Sequence, residues 1–159
     1  MAAAPALPSD LLHALLDRVP VARLGLVTAD GRPEVLPIVC ARVGQTLFSP
    51  IDGKPKASTR LARLGHLERE PRVSLVVDHY DANWRSLWWV KLDADADIAE
   101  GSHADWEAAV AALRAKYPQY VATPLFVGEP TLIVLPWHRV RWWAADGIAA
   151  LEKWLADAP

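Results

Sequence analysis

The chain is poor in the residues that most reactive chemistries need. It has one cysteine, Cys40, so an internal disulfide and a multi-cysteine metal centre are both excluded. Set between Val39 and Ala41 in a β pattern, that thiol reads as core rather than nucleophile, and the expected home is a reducing cytoplasm. Charge of either sign is nearly absent in the balance: the net charge is −2, which gives no electrostatic footprint for nucleic acid. No apolar run is long enough to span a bilayer, and the opening MAAAPALPSD has neither the basic residues nor the apolar stretch of a signal peptide. A soluble, unprocessed protein is expected. Gly-x-Ser-x-Gly, P-loop and Gly-x-Gly-x-x-Gly motifs are all missing, which removes the usual hydrolase, kinase and Rossmann readings. A small-molecule partner remains. At 159 residues the chain fits a single domain, 1–159, with a sizeable core.

Lysine is scarce as well, with five against twelve arginines, yet Lys54 and Lys56 stand two apart. They lie in TLFSPIDGKPKASTRLARLGHL, residues 46–67, which reads as a strand, a turn-rich loop and an amphipathic helix opened by Ser58 or Thr59. Such a junction binds anions: the first backbone N–H groups of a helix have no intrahelical partner, and Ser58, Thr59 and Arg60 add donors beside the two lysines. Solvated loop charges are the plain alternative. Tryptophan is the opposite case. There are eight, and the clusters at 84–89 and 137–143, which hold six of them, suggest a core, an interface, or a wall for a flat ligand.

In chain order, Ser9 or Asp10 caps a first helix that carries Leu11, Leu12, Leu15, Leu16 and Val19 and stops at Pro20. Strands follow at 21–28 and 34–43 around an Asp30-Gly31 turn, Pro37 marking an edge or a bulge, and a third strand from Thr46 completes a meander. The next helix sets Leu61, Leu64 and Leu67 inward, leaves Arg60, Arg63 and His66 toward solvent, and ends before Pro71. A strand at 73–77 leads through a polar corner, Asp78 to Asn83, to a long strand. Val90, Leu92, Ala94, Ala96 and Ile98 share one face of it, and Lys91, Asp93, Asp95 and Asp97 the other. Those aspartates lack the glycine and later glutamate of a calcium loop, so no metal is expected. Ser102 caps a helix with Trp106, Val110, Leu113 and Tyr117 along one side. An apolar loop, 119–130, reads as a ligand lid or a dimer contact; a last strand is broken at Pro136, and a short helix closes the chain. The order gives an α+β fold whose antiparallel sheet closes into a small barrel with flanking helices.

The segments VARLGLVTADGRPEVLPIVC, SPIDGKPK, LARLGHLEREPRVSLVVDHY and DANWRSLWWVKLDADADI resemble the split-barrel flavin and deazaflavin oxidoreductases related to pyridoxamine phosphate oxidase. The likeness covers roughly residues 20–142. The run HYDANWRSLWWVK is most similar to a branch assigned to the deazaflavin coenzyme F420. The resemblance implies an antiparallel split β-barrel, a homodimer with two cofactors at the subunit interface, phosphate on the lysine loop and ring on strand residues. Counted back from Glu70-Pro71-Arg72-Val73, the basic position of several relatives falls on Arg63, an alternative phosphate ligand to Lys54 and Lys56. Trp89 and Lys91 fall where relatives touch the ring or its side chain. A tryptophan cannot repeat the hydrogen bonds of the glutamine found in the phosphate oxidases.

Hydride transfer is carried by such a cofactor, so no catalytic side chain is identified; the protein binds phosphate, positions the ring and leaves a dry face for substrate. The expectation is an F420-dependent oxidoreductase. The alternatives are an FMN-dependent oxidase or reductase, a non-catalytic binder of a planar cofactor, and, most distantly, a barrel that stacks nucleic-acid bases.

Overall fold

The computed structural model describes residues 5–51 and 60–158. Helix α1, Ser9–Arg18, buries Leu12, Leu15 and Leu16. Its N-cap is Pro8, with no side-chain cap, so the serine expected to cap the helix instead opens it. Strands β1, Ala22–Val27, and β2, Pro33–Ile38, form a hairpin in register Ala22↔Ile38 to Val27↔Pro33. Gly31 turns it at φ 81°, a left-handed conformation that costs glycine nothing. β2 is the edge of its sheet, as Pro37 requires, because proline has no N–H to give to a further strand.

The single strand expected at 34–43 is two. β2 ends at Ile38, and β3, Ala41–Val43, pairs with β4, Thr46–Pro50, in a second layer. The meander is therefore interrupted at residues 39–40. The physical reason lies in the helix α3, Trp106–Lys116, and the residue after it. The Tyr117 hydroxyl accepts the Cys40 N–H at 3.2 Å and lies 2.9 Å from the Pro20 carbonyl and 3.0 Å from that of Cys40. Lys116 Nζ donates to the carbonyls of Leu16 and Cys40, both at 2.8 Å. Side chains thus satisfy the crossover backbone that a continuous ladder would have used.

Helix α2, Arg60–Arg69, ends before Pro71 and leads into β5, Arg72–His79. A 3-10 turn, Trp84–Ser86, precedes β6, Trp88–Asp95. Alternation holds along β6, with Trp88, Val90, Leu92 and Ala94 buried. The long strand then breaks at Ala96: β7, Asp97–Ala99, pairs with the other layer, and Ala99 rather than Ile98 is buried. α3 is capped at Asp105, not Ser102, again without a side-chain bond. It buries Trp106, Ala109 and Leu113, while Val110 is only half-buried.

β8, Leu132–Ala144, is continuous through Pro136, contrary to the expected break. Its first half lies between β4 and β7, and its second half pairs with β6 past a register shift at Asp93/Ala94. Proline is tolerated there because the strand changes neighbours at that point. The strand order β2-β1-β5-β6-β8-β4-β3 is antiparallel throughout, and β8 joins the two layers of a split barrel. The main core fills the barrel beneath α1 and α4, Ile148–Asp157; a second cluster lies under α3 around Phe48, Leu113 and Leu132.

Candidate functional site

Because residues alternate along β6, the partners of its buried face look outward. Trp88 is fully buried and Trp89 half-buried. The outer face is built in rows across three strands: Asp78, Trp89 and Trp143; Val76, Lys91 and Arg141; Ser74, Asp93 and Arg139. Lys91 Nζ sits 4.6 Å above the Trp89 ring, a cation–π contact. Trp143, directly across from Trp89, is 43% exposed. The result is an aromatic platform with an ammonium over it.

The neighbouring cations have carboxylate partners. Arg23 meets Asp78 at 2.7 Å, and Arg141 and Arg139 meet Asp93 at 2.7 and 3.8 Å. Asp93 also accepts the Ser74 hydroxyl at 2.8 Å. Burial pushes its pKa up, but Ser74 and the two arginines outweigh that and hold the carboxyl below its ordinary value. Asp93 is therefore an ion-pair centre, and among the described residues no cluster of metal-ligating side chains occurs. Gly25, Ser74, Asp93, His138 and Arg141 line a shallow cavity of about 550 Å³ on the same face.

Of the expected phosphate ligands, Lys54, Lys56, Ser58 and Thr59 lie outside the described residues, and Arg60 is described only as the first residue of α2. Arg63 is half-buried on that helix, as is His66, rather than facing solvent. Leu67, one turn on, lines a cavity with Pro71 and Ala96, and α2 packs against β1 and β7. Trp89 and Ala96 are seven residues apart, about 23 Å of extended chain. The structure thus brings Trp89 and Lys91 together on the outer face of β6, while Arg63 lies on the separate helix α2.

Two features escaped the sequence reading. One is Trp143 as the cross-strand neighbour of Trp89, which needs the β6–β8 register. The other is the apolar loop's position: the Val127 N–H donates to the Ile51 carbonyl, and the Ile51 N–H to the Thr131 carbonyl, both at 3.2 Å. The loop lies against the residue from which the lysine loop departs.

A second cavity, about 650 Å³, lies between the polar corner and α4, walled by His79 and Trp154. Asp81 organises its rim, accepting from the Asn83 N–H at 2.7 Å and the Ser86 hydroxyl at 3.0 Å and pairing with His79 at 2.8 Å. His79 ends β5 and Asn83 caps the 3-10 turn, so these contacts hold the corner between the two elements.

No family model and no curated protein matches the chain. Solved structures do. A heme-binding protein from Mycobacterium smegmatis superposes with a TM-score of 0.66 at 20% identity, over 90% of this chain and 57% of that one, so the chain spans little more than half of that relative. A FAD-binding protein from Mesorhizobium loti gives a TM-score of 0.60 at 18% identity, over 86% of this chain and 94% of that one. A candidate pyridoxamine 5'-phosphate oxidase from Listeria innocua gives 0.57 at 18%, over 84% and 95%. At such identities the likeness establishes the fold: an α+β antiparallel split β-barrel with flanking helices. No helix among the described residues is long and apolar enough to cross a membrane.

Proposed function

We propose that the protein is an oxidoreductase that uses the deazaflavin F420, with FMN as the alternative cofactor, and acts on a small organic substrate as a homodimer. The observation that carries this reading is the outward Trp89–Lys91–Trp143 platform. A flat ring bearing negative charge suits it, since indole faces supply stacking and the ammonium supplies the countercharge. A bound deazaflavin would supply hydride transfer. The protein's part is to hold that ring against Trp89, to pair its anionic groups with Lys91 and to keep water from the covered face. Phosphate binding is assigned to Lys54, Lys56, Ser58, Thr59, Arg60 and Arg63. Trp89 in the place of a hydrogen-bonding glutamine favours F420 over a phosphate oxidase's FMN chemistry.

The separation along the sheet between Trp89 and Ala96, which shares a cavity with Leu67 of α2, supports a dimer. In this reading the ring lies on one protomer's Trp89 and the phosphate on the partner chain, so two subunits contribute to each site. Co-expressing a Trp89→Ala chain with one carrying Lys54→Ala, Lys56→Ala and Arg63→Ala tests this. Each variant alone should bind F420 and FMN much more weakly than wild type, whereas random mixed dimers recover roughly a quarter of the wild-type high-affinity sites. Mixtures that recover none place each site within one chain and refute the shared arrangement.

A further inference from the structure

His79, Trp88 and Ala144 form the last paired row of the barrel's inner face, where β5 and β8 end and β6 begins. Asp78 stands in the outer row with Trp89, so the alternation of β5 turns its neighbour His79 to the opposite side of the sheet. Helix α4 packs over that inner row. Its Trp154 meets Trp88 edge to face, with centroids 5.0 Å apart and rings inclined by 74°, and lies 6.3 Å from His79. The cavity of about 650 Å³ between α4 and the polar corner opens beside Trp154.

The lining is of two kinds. Trp154, Ala149 and Ala150 supply an apolar wall, and Arg85, Asp146, Lys153 and Asp157 a charged rim. The rim charges are not equally committed. Lys153 holds Asp157 at 2.6 Å, and Asp81 is occupied by the Asn83 N–H, the Ser86 hydroxyl and His79. Arg85 Nε, by contrast, lies 3.5 Å from Asp146, and among the described residues its exposed guanidinium makes no hydrogen bond. Helix α4 starts at the same rim without a side-chain cap, and Ala149 of its first turn lines the cavity; its open N–H groups add positive potential. Behind the wall, Trp88 Nε1 is a buried donor with no hydrogen-bond partner. No polar bond of that indole fixes its contact with Trp154, so the wall can adapt to a ring laid on it.

We infer that this cavity binds a small aromatic monoanion, a carboxylic acid of one or two fused rings, with its ring on Trp154 and its carboxylate on Arg85. A cavity of this size with an apolar wall and a few convergent polar groups suits a small molecule. The planar guanidinium matches a carboxylate with two parallel hydrogen bonds. To form them the ligand displaces only Asp146, whose pairing with Arg85 is already the loosest at the rim. The site and the Trp89 platform lie on opposite sides of the sheet, so the inference does not depend on the cofactor reading.

The test titrates naphthoate, and its uncharged analogue naphthamide, into the whole chain and follows the tryptophan indole N–H signals by NMR, with Trp154→Phe identifying the Trp154 signal. Naphthoate should shift the Trp154 and Trp88 signals saturably and bind about tenfold more tightly than naphthamide, as a charge-assisted contact gives. Arg85→Ala should weaken naphthoate binding about tenfold and leave naphthamide unchanged. Asp146→Asn removes the competing carboxylate and should tighten naphthoate binding about threefold, the scale of an exposed ion pair. Both side chains are exposed, so the fold tolerates either change. Trp89→Ala should not alter the affinity for naphthoate. Absence of saturable shifts, equal affinity for acid and amide, or weaker binding in Asp146→Asn would each overturn the inference. Loss of naphthoate binding in Trp89→Ala would place the acid on the outer platform and overturn it as well.

Discussion

Replacing Tyr117 by phenylalanine deletes one oxygen and leaves the ring in place, so it isolates the clasp that breaks the second strand. The hydroxyl accepts from the buried Cys40 N–H and is also within donor range of the Pro20 and Cys40 carbonyls. The carbonyl of Cys40 keeps Lys116 as a partner, so the main losses are the stranded Cys40 N–H and the Pro20 carbonyl. A buried donor left unmade costs about 1–3 kcal/mol and a lost ordinary bond about 1 kcal/mol, giving roughly 2–4 kcal/mol together. For a domain of this size that lowers Tm by about 5–15 °C. Urea unfolding followed by tryptophan fluorescence gives the free energy directly, with an unchanged m-value showing that the same cooperative unit unfolds. A loss below about 0.5 kcal/mol would mean that the crossover backbone is satisfied without Tyr117, and the account of the interrupted meander would fail.

Trp88→Ala should destabilise the fold by about 3–5 kcal/mol because the ring is wholly buried, while Trp89→Ala should mainly weaken cofactor binding; equal melting losses with unchanged affinity in both would refute the assignment. Burial raises the Cys40 thiol to about 11, so a thiol reagent at neutral pH should label it only as the protein unfolds; rapid labelling of native protein contradicts its core placement. Hydrogen bonds from Arg72 lower the Glu70 carboxyl from its ordinary 4.5 to about 2. A depressed carboxylate stabilises above its unfolded pKa and loses that contribution as pH falls from about 4.5 toward 2, so Glu70→Gln should flatten the acid limb of stability in that window; an unchanged slope would refute it.

The elements easiest to read in the sequence were those with a local cause. The leucine spacing of α1, the Asp30-Gly31 turn, Pro71 as the stop of α2, and the alternation from Trp88 to Ala94 each declare themselves within a few residues. Pro37 marked an edge or a bulge for the same reason, and the edge is what the sheet has. What stayed hidden depends on distant partners. Nothing near Cys40 shows that Tyr117 and Lys116 will take its backbone groups, so residues 34–43 read as one strand. Likewise, nothing near Ala96 shows that the chain will change layers there. The platform was half legible: Trp89 and Lys91 follow from alternation, but Trp143 joins them only through the register of β8. The place of α2 was invisible, since a linear motif does not show that the helix packs against β1 and β7.

The central claim is that the outer face binds a flavin-type ring, and the deazaflavin above FMN. Parallel titration of the purified protein with F420 and with FMN, read by quenching of tryptophan fluorescence, tests it most directly. Saturable quenching by F420 at lower concentration than by FMN, reduced in Trp89→Ala, is the predicted result. Quenching by neither cofactor, or an identical response in wild-type and Trp89→Ala protein, would contradict it.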